Sequence, residues 1–279
     1  MKHIQSGDEF FIYADDSYKR LYPTRPKENK SGALHPCNMT PDDVDYEMDF
    51  GKHPEILQIN GMNQESFEYV VLHYAKNYRY LNFTHCQIIR DFSPLEDLDK
   101  LERVWIDWNI RADKLWDMSK NTSLNHIRIL DCKKITRSPD LLSSSPTLEE
   151  VGICGSIFNS FPIESMDIFG KLPSLRSLDL FQIKPMDKRL DFLKYAKNLE
   201  EFNFDPGMLT TEEIAWIVAK YPLLTGKCLC AYNTEDALLN DVRVCGFRKP
   251  GLDLPEHQQR LDRYIAQFNA LVEQYKNEA

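Results

Sequence analysis

The sequence predicts an α/β solenoid: a curved parallel sheet of stacked strands on the concave side, with helices and irregular turns on the convex side. Three observations point there. A six-residue apolar pattern recurs at a nearly constant interval, the segments between its copies carry helix signals, and the two ends of the chain lack the pattern. The pattern is apolar-x-x-apolar-x-apolar. Its clear copies open at Tyr78, Leu101, Leu124, Leu148, Leu175 and Leu199, in steps of 23, 23, 24, 27 and 24 residues. A degenerate copy opens at Pro54 and a further one at Tyr221. A fixed period of this length means stacked supersecondary units, none of which can bury its apolar side alone.

Each copy reads as a strand. Side chains alternate along a strand, so Leu101, Val104 and Ile106 face a core while Arg103, Trp105 and Asp107 face away from it. The same register buries Ile127 and Ile129 and turns Arg128 outward. Over about residues 54–230 the chain resembles the leucine-rich repeat family, whose L-x-x-L-x-L strands and units of roughly 20–29 residues it shares. The next landmark of that family is Asn or Cys three residues after the last apolar strand position. Here the place holds Cys86, Asn109 and Cys132, then departs to Ser156, Ile183 and Gly207. The resemblance implies a buried ladder of side chains bonded to loop backbone, and its loss implies a less regular second half. Phe92-Ser93-Pro94-Leu95-Glu96-Asp97-Leu98-Asp99-Lys100-Leu101 resembles the short-repeat, internalin-type subclass.

The return segments come next. Asn63 stands ahead of the apolar run Phe67–Leu72, in the position of a helix cap. Thr210-x-x-Glu213 is a capping box, followed by Ile214, Ile217, Val218 and Tyr221 at helical spacing and stopped by Pro222. Residues 1–53 read as an irregular N-terminal cap with a loop over 19–41. Residues 231–279 read as a C-terminal cap with an amphipathic helix at about 254–277, its stripe being Leu261, Ile265, Phe268, Val272 and Tyr275. Such a helix packs over the last repeat, or offers its stripe to a partner.

Composition narrows the function. The 279 residues carry a net charge of −9, which disfavours a general nucleic-acid binder, whose affinity depends on Lys and Arg displacing phosphate counterions. No run of apolar residues is long enough to span a bilayer, so no membrane role is expected. The first residues carry no apolar signal core, and seven scattered cysteines, an odd number, fit reduced thiols; cytoplasmic residence is the expectation. The phosphate-loop, dinucleotide, zincin and nucleophile-elbow motifs are absent from the sequence, so the chain is read as non-enzymatic, with no catalytic residue, cofactor or metal assigned. Asp43, Asp45, Glu47 and Asp49 alternate but fail as a calcium loop, with Met48 in place of Gly and Pro54 in place of the bidentate Glu; they read as a solvated acidic strand edge. Cys228 and Cys230 read as two small thiols on the core side of a strand, and Cys154 as an outward thiol.

The repeat register maps an outward face. Its columns are Ile56, Tyr80, Arg103, His126, Glu150, Ser177, Glu201; Gln58, Asn82, Trp105, Arg128, Gly152, Asp179, Asn203; and Asn60, Thr84, Asp107, Leu130, Cys154, Phe181, Asp205. Tyr80, Arg103, Trp105, Asp107, His126 and Arg128 cluster there, with Trp108 just beyond. Tyr, Trp and Arg are enriched at binding hot spots because each buries a large area around a directed polar group. These seven residues are the candidate partner-binding site. The resemblance implies protein recognition as the commonest use of such a face, with a protein partner of unspecified identity. Three other readings stand beside it: structural cover, with Arg103 lying over Trp105; carbohydrate or small-ligand recognition on a Tyr80/Trp105 platform; and a regulatory or enzymatic role in the non-repeat termini.

Overall fold

The computed structural model describes residues 19–21, 40–49, 55–156, 158–187, 190–234 and 239–278, in two compact units, Met1–Leu148 and Glu149–Ala279. In the first unit β1 (Lys19–Leu21), β2 (Ile56–Asn60), β3 (Tyr80–Thr84), β4 (Arg103–Asp107) and β5 (His126–Leu130) pair in parallel in that order. Leu57, Leu81, Val104 and Ile127 align across the strands, as do Ile59, Phe83, Ile106 and Ile129, and all eight are fully buried. The repeat register is therefore the pairing register. Residues 19–21 fall in the stretch expected to be loop; instead they pair with β2, whose edge would otherwise leave a row of backbone groups unpaired.

One backbone device starts β3, β4 and β5. The carbonyl of Glu55 accepts from the N–H groups of Arg79 and Tyr80, that of Arg79 from Glu102 and Arg103, and that of Glu102 from Asn125 and His126. The side chains at this position alternate in charge. The Arg79 guanidinium grips Glu102 with two bonds of 2.6 and 2.7 Å and reaches Glu55 at 2.9 Å.

The return segments differ in type. α1 (Pro41–Asp49) is a helix, so the alternating acids 43, 45, 47 and 49 are not a strand edge. Proline suits a first turn, and Val44 and Met48, about one helical turn apart, are both buried. The Asp45 carboxylate accepts from the Tyr74 hydroxyl at 2.6 Å and the Tyr69 hydroxyl at 2.8 Å, which holds it below the usual carboxylate range. α2 (Gln64–His73) is capped by Asn63, whose side chain accepts from Ser66 N at 2.9 Å, and sets Phe67 edge-on against Phe83 and Phe92. Later returns are short: a 3-10 turn at Ser93–Asp97, then α3 (Lys133–Arg137) and a second 3-10 turn at Asp140–Ser144.

The ladder exists in this unit. Asn109 is fully buried; its amide nitrogen donates to the Cys86 and Ile89 carbonyls at 2.7 and 2.9 Å, and its oxygen accepts from Arg111 N and Ala112 N. The Cys86 thiol lies 3.7 Å from Ile59 O and the Cys132 thiol 3.7 Å from Ile106 O, repeating the arrangement from strand to strand. Buried Asn121 adds a second such site, donating to Leu95 O and Leu98 O and accepting from the Trp116 indole at 2.7 Å.

The second unit contains β6 (Glu150–Cys154), β7 (Phe161–Ile163), β8 (Ser177–Phe181), β9 (Ile183–Pro185) and β10 (Glu201–Phe204). β6, β8 and β10 pair in parallel and bury Val151, Leu178 and Phe202 in one row and Ile153, Leu180 and Phe204 in the next. Here the ladder position is Ile183, which opens β9, and the β7–β9 pair replaces side-chain bonds with main-chain ones. Only glycine fits at 155, because a Cβ there would collide with the Gln182 carbonyl. The second half is thus less regular, as the sequence implied.

α4 (Thr211–Lys220) starts at the expected capping box: Thr210 Oγ1 accepts from Glu213 N at 3.1 Å, and Glu213 accepts from Thr210 N at 2.7 Å. β11 (Tyr232–Asn233), β12 (Val242–Val244) and β13 (Gly251–Leu252) form a small antiparallel sheet. α5 (Gln258–Asn277) lies against α4 and buries Leu261, Phe268 and Val272. Val242, Val244, Leu252 and Leu261 make a local core under it, packed by Leu254, Tyr264 and Ile265. Among the described residues no helix is long and apolar enough to cross a membrane.

Candidate functional site

Strand pairing in the first unit aligns Tyr80 with Arg103 and His126, Asn82 with Trp105 and Arg128, and Thr84 with Asp107 and Leu130. The candidate residues on these strands therefore do share one sheet face, opposite the Val104/Ile106 core. Tyr80, Arg103, Asp107, His126 and Arg128 are half-buried.

Trp105 is not available for contact, contrary to its place in the candidate set. It is 3% exposed, and the Arg128 guanidinium lies 5.1 Å from its ring centroid. A planar cation over an indole is attracted by the ring quadrupole and shields the ring from water. The covering arginine comes from the following strand rather than from Arg103, which lies 5.5 Å from the Tyr80 ring, as does Arg79. A Tyr80/Trp105 stacking platform is excluded by the same burial. Asn82 and Thr84 are also buried, the Thr84 hydroxyl donating to Asn82 Oδ1 at 3.0 Å.

Beyond the strands the backbone repeats a rarer feature. The residue after β2 is Gly61, and those after β3, β4 and β5 are His85, Trp108 and Asp131, all with positive φ between 50° and 67°. Only glycine adopts this conformation without cost. Trp108 N donates to Leu130 O at 2.9 Å, which fixes the turn, and its ring stands 4.7 Å from that of His85. Trp108 is 41% exposed, beside the exposed Ile110 and Ile88 of neighbouring loops; Ile110 N bonds to Gln87 O. Strand alternation says nothing about these loop positions, so Ile88, Ile110 and His85 escape a reading of the strands. The signal for them is that β3, β4 and β5, unlike β2, are not followed by glycine.

Asp107 adds a titratable group. Burial, followed by the neighbouring Asp131 carboxylate, pushes its pKa up to about 6. Burial also raises Asp131.

In the second unit the outward face is acidic. The Asn203 amide donates to Asp179 Oδ1 and Glu201 Oε1 at 2.9 Å each, bridging two carboxylates on adjacent strands. Cys154 keeps its outward register, paired with Phe181, but is covered: it is 6% exposed, so the thiol is not open to solvent. Cys228 and Cys230 lie in a turn rather than a strand, with Cys228 fully buried and Cys230 half-buried. Among the described residues no group of three or more His, Cys, Asp or Glu is arranged to hold a metal ion.

No family model matches the chain, and no curated protein does. Two solved structures similar to it are internalins of Listeria monocytogenes. Internalin C2 is 16% identical, with a TM-score of 0.41 over 57% of this chain and 65% of that one. A second internalin is also 16% identical, with a TM-score of 0.37 over 62% and 59%. The chain thus spans less than two thirds of either.

Proposed function

We propose that this chain, which has the leucine-rich repeat fold, is a protein-interaction module. It acts without catalysis, and it engages its partner at the open face and adjoining loops of the first unit. The single observation carrying this reading is Trp108. It is a large aromatic on a tightly hydrogen-bonded turn, 41% exposed, and the core does not use it. Exposed Ile88 and Ile110 and the half-buried Tyr80, Arg103 and Asp107 supply an apolar centre with a charged surround, the composition of a hot spot and its rim. His126 and Arg128 belong to the same face, whereas Trp105 supports it from beneath. The partner is a protein, and neither nucleic acid nor a membrane suits a surface on a chain of net charge −9. Cytoplasmic residence belongs to this reading, on the strength of the odd cysteine number.

The test is affinity capture from native lysate with wild type and an Arg103→Ala, Trp108→Ala variant matched for thermal stability. A stoichiometric partner lost by the variant, with affinity down about 30-fold or more, supports the reading. A partner held equally by both proteins moves the interface elsewhere and refutes the site.

A further inference from the structure

Three of the seven cysteines meet where the chain leaves the repeats. Cys230 sits in the turn before β11, and Cys245 follows β12, the strand that pairs antiparallel with β11. Their sulfurs are 3.9 Å apart. Cys228 lies behind them, fully buried, with the Asn233 amide 3.9 Å from its sulfur.

The two sulfurs are held differently. Cys245 is 1% exposed and its backbone is fixed on both sides: its N–H donates to Ala231 O at 3.0 Å, and its carbonyl accepts from Thr211 Oγ1 at 3.3 Å. The next residue, Gly246, has φ +136° and no room for a Cβ against Thr211, so this segment cannot shift easily. Cys230 is half-buried, and its thiol reaches the Tyr232 and Lys227 carbonyls. One thiol can thus be approached from solvent, while the other waits behind it on a rigid strand end.

We propose that Cys230 and Cys245 form a thiol–disulfide exchange site, whose substrate class is a low-molecular-weight disulfide and whose product is an intramolecular Cys230–Cys245 bond. The Cys230 thiolate attacks one sulfur of the small disulfide, forming a mixed disulfide and expelling one small thiolate. Cys245 then attacks the Cys230 sulfur; the Cys230–Cys245 bond forms and the second small thiolate leaves. The protein loses two electrons and the two thiol protons, which end on the two released small thiols. A disulfide needs its sulfurs about 2 Å apart, so the cysteine on the looser turn closes the gap.

The electrostatics favour the first step. The Cys245 thiol, as donor, holds Cys230 below the ordinary thiol range, which favours the attacking thiolate. Cys228, then Cys230, then burial hold Cys245 above it. The bond would close a ring through residues 230–245 and tie the turn after the last repeat to the C-terminal sheet. This proposal does not depend on the partner-binding surface, which lies in the first unit.

The test uses the full chain, reduced and then exposed to oxidised glutathione. Exchange is quenched by acid, remaining thiols are alkylated, and peptides are mapped by mass spectrometry. Wild type is expected to show a 230–245 linkage and a melting temperature raised by about 5–10 °C. Cys230→Ser should give neither linkage nor adduct. Cys245→Ser and, should serine prove too polar for that buried place, Cys245→Ala should stall with glutathione on Cys230. A wild-type chain that keeps the adduct without closing overturns the proposal. So does linkage of Cys230 to Cys228, or wild-type thiols that remain unreacted. Stoichiometric zinc in the purified protein that blocks the exchange would make the cluster a metal site, and would also overturn it.

Discussion

Trp105 and Trp108 stand three residues apart and do opposite work. The first lies under Arg128 and is 3% exposed; the second is 41% exposed at a turn. Trp105→Ala is therefore expected to cost about 3–5 kcal/mol of stability, as removal of a buried indole does. Trp108→Ala should change stability by no more than about 1 kcal/mol. Chemical denaturation of the two variants separates these roles; equal destabilisation would count against the assignment. Asp107 gives a pH signature. Its folded pKa, about 6, lies above the ordinary carboxylate value of 3.8, so the folded state binds the extra proton between those values. Its contribution is fully present below about pH 4 and is lost as pH rises through 6. Asp107→Asn should thus gain about 1 kcal/mol at pH 7, discounted for partial exposure, and nothing at pH 4. Parallel melting curves for wild type and variant between those pH values would refute it.

Helices, ladder rungs and turns differ in how directly their residues announce them. The capping box at Thr210 and Glu213 forms as read, because both partners lie within one helical turn. Asn109 likewise fills its expected rung, and Asn109→Ala removes four hydrogen bonds at a buried site. It should cost about 3 kcal/mol, measured by urea unfolding, since backbone groups would be left unsatisfied. Ile183→Val, at the equivalent place in the second unit, should cost only about 1 kcal/mol, the loss of a methylene. Equal effects would mean that the ladder adds nothing beyond packing. Gln182 follows β8 with φ 52°, as its counterparts follow the strands of the first unit. Gln182→Gly should leave stability unchanged or raise it by up to about 1 kcal/mol, because relief of backbone strain offsets the entropy cost of glycine. The acids of α1 show where local spacing fails: Val44 and Met48, four residues apart, share a face in a strand and in a helix alike, and the segment is helical, with Asp45 bonded to Tyr69 and Tyr74.

Across the whole chain the charge is distributed unevenly. Outward positions in the first unit include Arg103, His126 and Arg128, whereas those in the second include Glu150, Asp179, Glu201 and Asp205. A partner steered by either surface should associate more slowly as salt rises, because exposed charges are screened over about 8–10 Å at physiological ionic strength. Stopped-flow association across a salt series would reveal this, and a flat profile would point to a purely apolar contact. At the C-terminal end α5 covers α4 and the core around Val242, Val244 and Leu252.

The sequence by itself determined the repeat, the strand register and the buried rows. These follow from the alternation of a strand and the period of the units, both properties of neighbouring residues. It also located the capping box and the rungs at Cys86, Asn109 and Cys132, since each depends on residue type at a fixed offset. Tertiary structure decided the rest. Trp105 is outward by register yet hidden, because Arg128 lies 23 residues away in the chain and one strand away in space. Trp108 is presented by a left-handed turn that its residue type does not announce. Cys230 found its neighbour in Cys245 only once β11 and β12 were paired. What a side chain can reach depends on contacts made across the fold, and no local pattern encodes those.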